Sequence, residues 1–265
     1  MTSSDRIIAL QSRAVVEVSG PDWRSFLQGL TTNDVETLAP GAARFAALLS
    51  PQGRILFDLF VIGGAGGCLI DVAAERRDDF VQRLKLYRLR AKVEIRPLDL
   101  GVFAILDAHA AAPGWVVDPR LPALGVRGYT ADGRADDVEI AYDVWRMTLG
   151  VPGAADWGYD KTFPIEADFD LLNGIDFRKG CFVGQETTSR MKRRGKIRSR
   201  MLPIVFEGPA IAPGSEILAG ELRAGEVLSG APGLAMALVR LDRIEDVHLT
   251  VDGRAVVAMQ PGWFL

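Results

Sequence analysis

Apolar residues along the chain recur with two different periods. "RIIAL" (6–10), "RAVVEVSG" (13–20) and "ARFAALLSPQGRILFDLFVIGG" (43–64) are runs of Val, Ile, Leu and Phe punctuated by Gly and Pro, which predicts strands. Ser50 to Arg54 reads as the turn joining two of them. The "GGAGG" before "CLIDVA" reads as another hairpin connection. In "GPDWRSFLQGLTTNDV" (20–35) the spacing is helical: Phe26, Leu27 and Leu30 recur on one face, Pro21 suits a first turn, and Asp22 favours its positive end. A second helix starts in "AERRDDFVQRLKLYRLR", with Phe80, Leu84 and Tyr87 on one face, and runs into the alternating "KVEIRPL". "GVFAILDA" reads as a strand, "APGWVVDPRLPALGVRGYT" (112–130) as loop, and "DDVEIAYDVWRMTLGVP" as a helix around Trp145 and Arg146, ended by Gly150 and Pro152.

From Ile197 the pattern changes to short strands with turn signals about every ten residues, as in a small β barrel or sandwich. The boundary falls near 192–200. It divides a mixed α+β region (1–194), expected to hold two discontinuous lobes, from an all-β domain (195–265).

Composition narrows the function. With 48% hydrophobic and 25% charged residues among 265, the chain is an ordinary globular protein large enough for a sizeable core. A net charge of -3 supplies no global attraction for nucleic acid or acidic membrane. No window of about 18 apolar residues predicts a membrane span. The start, "MTSSDRIIAL", lacks a signal-peptide pattern, and two cysteines make no disulfide framework, so a reducing, cytoplasmic setting is expected.

The chemistry concentrates in "FRKGCFVGQETTSRMKRRGKIRSR" (177–200). Arg178 and Lys179 precede Cys181, and nearby cations favour the thiolate. Gly180 and Gly184 permit a tight loop, and Glu186 suits the positive end of the helix that begins there. Cys181 reads either as a reactive thiol or as a small packed residue. A cysteine hydrolase would need a base, and nothing in the spacing brings His109 or His248 to the thiol. Two cysteines and two histidines make no clustered metal set. Cys68, in "GGCLIDV", reads as core. Seven Lys and Arg lie between Arg190 and Arg200, without the interleaved aromatics that stack bases, and read as a solvated seam.

"KGCFVGQE" (179–186) closely resembles the signature of the YgfZ-type folate-binding proteins. These share a superfamily with the glycine-cleavage T-protein, an aminomethyltransferase, and with mitochondrial iron–sulfur assembly factors. "VSGPDWRSFLQGLTTNDV", "LLSPQGRILFDLFV", "YRLRAKVEI", "DPRLPALGVR", "WRMTLGVP", "FPIEADFDLLNGIDFRKG" and the terminal "PGW" extend the resemblance over nearly the whole chain. It implies two α+β lobes and a C-terminal β barrel around a central channel that takes tetrahydrofolate. It also implies work on client iron–sulfur proteins, including one that modifies tRNA. T-proteins carry an acidic pair in the central hairpin; here Phe57 replaces the first acid and Asp58 keeps the second. Their pterin-clasping "GYTGEDGFE" is matched only in "GYT" (128–130), and their "RLEAG" is "RMTLG", which keeps Arg146 and puts Thr148 at the acid.

The resemblance therefore implies Cys181 and Lys179 as the reactive pair. Asp58, Phe45, Arg146, Gln185 and Glu186 are implied folate contacts. Period-2 logic does not choose a face for Asp58, and the resemblance turns it to the channel. Arg146 is a folate-tail anchor or a structural ion pair, and Phe57 is a further candidate for the ring. The expected function is an accessory factor for iron–sulfur assembly or repair, with no resident metal, no direct nucleic-acid contact and no membrane. The alternative is a folate-dependent one-carbon transferase or demethylase, a true enzyme.

Overall fold

The computed structural model describes residues 6–108, 114–193, 195, 197–245 and 247–264. Five residues at the start, His109, part of the 112–130 stretch, Arg194 and Lys196 lie outside them. The chain runs β1 (Ile7–Ala9), β2 (Arg13–Ser19), α1 (Trp23–Gln28), β3 (Ala43–Leu49), β4 (Ile55–Gly63), β5 (Gly67–Ala73), α2 (Arg77–Arg88) and β6 (Glu94–Leu98). These build an antiparallel sheet in the order β3-β4-β5-β2-β6. Pro97, which cannot donate to a ladder, lies on the edge strand β6.

Helix α1 stops earlier than its apolar spacing predicts. Gly29 follows it, and the next two threonines bond elsewhere: Thr31 Oγ1 donates back to the Leu27 carbonyl, and Thr32 Oγ1 donates across to the Gly174 carbonyl at 2.6 Å. Such side-chain bonds compete with helix continuation.

Both faces of this sheet are covered. Val16, Val18, Leu48, Leu59, Val61 and Ile70 pack under α1 and α2. Phe45, Ala47, Leu49, Phe60 and Ile62 face the centre of the molecule, against Trp157, Phe169 and Phe182 and against Met201 and Met236 from the barrel. All nine residues of β4 are buried, so polarity does not alternate along it. That is why period 2 cannot place Asp58 from sequence.

A second antiparallel sheet, β1-β7-β9-β8, adds β7 (Gly101–Ile105), β8 (Trp115–Val117) and β9 (Val126–Thr130). Residues 114–130, expected as loop, are corrected here. Trp115 pairs with Gly128, and a Cβ on Gly128 would stand 2.7 Å from the indole. The strand is invisible in sequence because its Gly and Pro punctuation dominates. Helix α3 (Glu139–Thr148) lays Tyr142 on this sheet's core, and α4 (Ala154–Trp157) follows.

After α5 (Gln185–Arg193) come β10 (Ser199–Phe206), β11 (Glu216–Ala219), β12 (Leu222–Ala231), β13 (Leu234–Arg240), β14 (Leu249–Val251) and β15 (Arg254–Ala258). They close a six-stranded barrel, β10-β13-β12-β11-β14-β15, that leaves no free edge. The expected class, mixed α+β lobes with a C-terminal barrel, is the class observed.

Arg200 bolts the barrel to the rest. Its Nη1 reaches the Ile165 carbonyl at 2.7 Å, Asp168 at 3.0 Å and Asp170 at 2.6 Å. Lys192 also meets Asp170, at 3.5 Å, so the basic run is partly neutralised rather than a row of free cations. Asp168 is fully buried at a positive φ of 61°, and its second oxygen has no partner. Burial pushes its carboxyl well above the ordinary range, against the pull of Arg200. A raised carboxyl gives stability that is full below the unfolded pKa and is lost as pH rises toward the folded one. Asp168→Asn keeps the acceptor, tolerates the backbone and removes this loss. The variant is expected to gain in stability relative to the parent as pH rises from 4 to 8, as measured by urea denaturation at both values.

Candidate functional site

A buried ionic network crosses the middle of the molecule. Arg13, at the start of β2, donates from Nη1 to Asp58 at 2.7 Å and from Nε to Asp71 at 2.6 Å. Arg127 of β9 donates to the other Asp71 oxygen at 2.6 Å, and Tyr129 joins it at 3.1 Å. Arg120 clasps Asp118 through two bonds of 3.0 and 2.8 Å. Asp71 stands opposite Phe60 in the β4–β5 ladder, and the three guanidinium carbons lie 4.0 Å (Arg127), 4.9 Å (Arg120) and 5.5 Å (Arg13) from the Phe60 ring centre. Burial alone would raise the Asp71 and Asp118 carboxyls; the facing arginines outweigh it and hold both below the usual range.

Beside this network opens a cavity of about 670 Å³. Asp58, Glu139, Asp143, Trp157, Tyr159 and Arg76 are among its lining residues. Asp58 therefore does face the central space, but as one half of an ion pair. Arg146 also reaches the cavity wall, held by Asp143 and Asp156 at 2.7 Å each. A Cβ on Gly153 would fall 2.7 Å from its guanidinium carbon, so the glycine makes room for it. Arg146 thus forms the ion pair, and also lines the cavity. Phe45 and Phe57 do not form one aromatic slot: Phe45 faces the centre against Phe169, while Phe57 meets Phe80 of α2 edge-on, with ring centres 5.2 Å apart, and lines the cavity that Phe45 does not. Glu139 accepts from the Ser12 N–H at 3.0 Å, placing an acid on the cavity wall where the "GYT" comparison expects none.

The Cys181 loop is elsewhere. Lys179 does not lie free beside the thiol: its three ammonium protons go to the carbonyls of Gln28 (2.7 Å), Thr31 (2.5 Å) and Asn33 (2.9 Å), at and beyond the C-terminal end of α1. Burial lowers it to about 8, with Asp34 and Asp176 opposing. Phe182 is buried in the central core, and Gly184, at φ 79°, sits against the Ser50–Gly53 turn. Thr188 is buried as well. Cys181 is left exposed at the tip, Gln185 and Glu186 open the following helix with Glu186 exposed, and none of the three lines the large cavity. Cys68 is buried, which pushes its thiol up to about 12. His248 is exposed. Sequence reasoning missed Arg13, Asp71, Asp118, Arg120 and Arg127. Asp71 carried a readable signal, a carboxylate inside the apolar "CLIDVA".

Among the described residues, no group of three His, Cys, Asp or Glu side chains is placed to hold a metal ion, and no helix is long and apolar enough to cross a membrane.

The fold is that of a glycine-cleavage aminomethyltransferase. The Bartonella henselae protein superposes with a TM-score of 0.77 over 98% of this chain and 86% of its own, at 17% identity. Residues 198–265 match the model for the CAF17 C-terminal β-barrel domain. An iron–sulfur cluster assembly factor IBA57 homolog, mitochondrial, of Mycosarcoma maydis is 34% identical over 77% of this chain, which spans 58% of that relative's length. The mouse iron–sulfur cluster assembly factor IBA57, mitochondrial, is 31% identical over 96% of this chain and 84% of its own. The chain belongs to this family of assembly factors. The relatives are named as mitochondrial, which overturns the cytoplasmic placement expected from the N-terminal sequence and the cysteine count.

Proposed function

We propose that the protein is an accessory factor in iron–sulfur cluster assembly. Cys181 meets the cluster-bearing partner or the client iron–sulfur protein, and a reduced folate occupies the cavity beside Asp58. The bracing of the Cys181 loop carries the reading. Lys179, Phe182, Gly184 and Thr188 are each committed to packing or hydrogen bonds, so the motif holds one exposed thiol on a fixed platform.

The cavity's chemistry suits the folate. Glu139 and Asp143 are acceptors for the amino and N–H edge of a pterin, Trp157 and Tyr159 offer ring faces, and Arg76, with its Nε unpartnered, suits a carboxylate tail. Folate would supply a one-carbon carrier there. The Arg13–Asp58 pair argues against a one-carbon transferase, because the carboxylate that would meet the folate nitrogen is already engaged at 2.7 Å.

Cys181→Ser is expected to leave melting temperature and tetrahydrofolate affinity unchanged while abolishing rescue of iron–sulfur enzyme activity in cells lacking their own factor. Full rescue by the variant would sink the role of the thiol. Anaerobic calorimetry that finds no saturable tetrahydrofolate binding to the folded parent would sink the folate assignment.

A further inference from the structure

A second cavity, of about 410 Å³, lies on the other side of the Phe45–Phe60 pair, whose ring centres are 5.1 Å apart. Phe45 lines this cavity; Phe60 lines the space around Asp58. Arg120 lies over both rings, 5.5 Å from Phe45 and 4.9 Å from Phe60, and thickens the wall between them. The two spaces are chemically different. The first is lined by several carboxylates. The second has two arginines, Arg44 and Arg178, and one acid, Asp176.

Neither arginine has an ion pair or a side-chain hydrogen bond among the described residues. The buried arginines of the central network (Arg13, Arg120, Arg127) and Arg146 are each matched to a carboxylate. Arg44 is half-buried, so leaving it unmatched has a cost that an anionic occupant would remove. Asp176 offsets one of the two charges but forms no ion pair with either guanidinium among the described residues; one of its oxygens accepts the Arg178 backbone N–H at 2.8 Å, and the lining keeps a net positive charge. Phe45, Ile175 and Pro119 give the cavity apolar surface, which favours an organic anion over a bare inorganic one.

We propose that this cavity binds a small organic dicarboxylate, one carboxylate on each guanidinium. Arginine forks match carboxylates in two-bond geometry. Only Lys179 and Gly180 separate Arg178 from Cys181, so their Cα atoms are at most about 11 Å apart, and the occupant sits within reach of the thiol's surroundings. The site is independent of the folate cavity and does not rest on its being filled.

Glutarate and inorganic phosphate are the probes, titrated into the whole chain by calorimetry. Arg44→Gln and Arg178→Gln are the variants, and because neither side chain has a partner to lose, both are expected to keep the parent's melting temperature. Glutarate is expected to bind saturably, about tenfold or more weaker in each variant. It is also expected to change the alkylation rate of Cys181 by iodoacetamide, a clean readout because Cys68 is buried. Absent glutarate binding, or binding untouched by both substitutions, overturns the site. Phosphate binding as tightly as glutarate overturns the dicarboxylate assignment, and displacement of glutarate by tetrahydrofolate overturns the separateness of the two cavities.

Discussion

Asp71→Ala is expected to cost about 3–5 kcal/mol, a large part of the 5–15 kcal/mol typical of a whole folded protein. Three arginines (13, 120 and 127) face three aspartates (58, 71 and 118) in the buried network. Removing Asp71 leaves both Arg13 and Arg127 short of their closest acid, at 2.6 Å each, with both guanidinium groups almost fully buried. The cost is mainly that of the uncompensated charge left behind. Glu17→Ala gives the contrast. It breaks an ion pair with Arg96, whose side chain is 55% exposed, and is expected to cost far less than Asp71→Ala. Urea denaturation of both variants checks the pair, and an Asp71→Ala loss no larger than the Glu17→Ala loss would show that the network is not a stabilising element.

The same network sets a direction with pH. Asp71 and Asp118 are held below their unfolded values by facing arginines. Carboxyls of that kind give stability that is present above the unfolded pKa and lost as pH falls toward the folded one. Asp168 acts in the opposite sense, so acid weakens the centre of the molecule while it favours the seam with the barrel.

These features were unequally legible in the sequence. The barrel was readable because its strands are short, evenly spaced and punctuated by turns, and each closes on a neighbour. The "KGCFVGQE" stretch was readable as a motif, but the work of its parts was not. Lys179 looked like a cation tuning a thiol two residues away. It is a cap on carbonyls about 150 residues earlier, and only tertiary structure makes that contact. Asp58 and Asp71 share one signal, an acid inside an apolar strand. That signal says an acid needs a partner and cannot say which one, since Arg13 and Arg127 come from separate sheets. Two free arginines around a cavity leave no trace in sequence at all, because the sequence records charges and not their pairing.

Gly184→Val is expected to separate the two glycines of the motif by their physics. Gly184 has a φ of 79°, and a Cβ there would stand 2.7 Å from the Ser50 carbonyl oxygen, 2.9 Å from the Gly53 Cα and 3.0 Å from the Leu49 Cβ. Two of these neighbours are backbone of the hairpin turn and cannot swing aside. The positive φ costs a side chain about 1–2 kcal/mol, and overpacking adds roughly 1–3 kcal/mol, so a total of about 2–5 kcal/mol is expected from the two. Gly53 faces Gly184 from the other side at φ 86°, with the Gly184 carbonyl oxygen 3.1 Å and the Thr187 Cβ 2.9 Å from its own missing Cβ, so compensation from that turn is blocked as well. At Gly180 a Cβ would meet nothing within 4 Å, and Gly180→Ala is expected to stay within about 0.5 kcal/mol of the parent. Iron–sulfur enzyme rescue should follow the same split, lost with Gly184→Val and kept with Gly180→Ala, because the first dislodges the platform under Cys181 and the second only thickens its tip. A Gly184→Val protein as stable and active as the parent would mean that the hairpin turn does not brace the loop, and the case for a positioned thiol would fall with it.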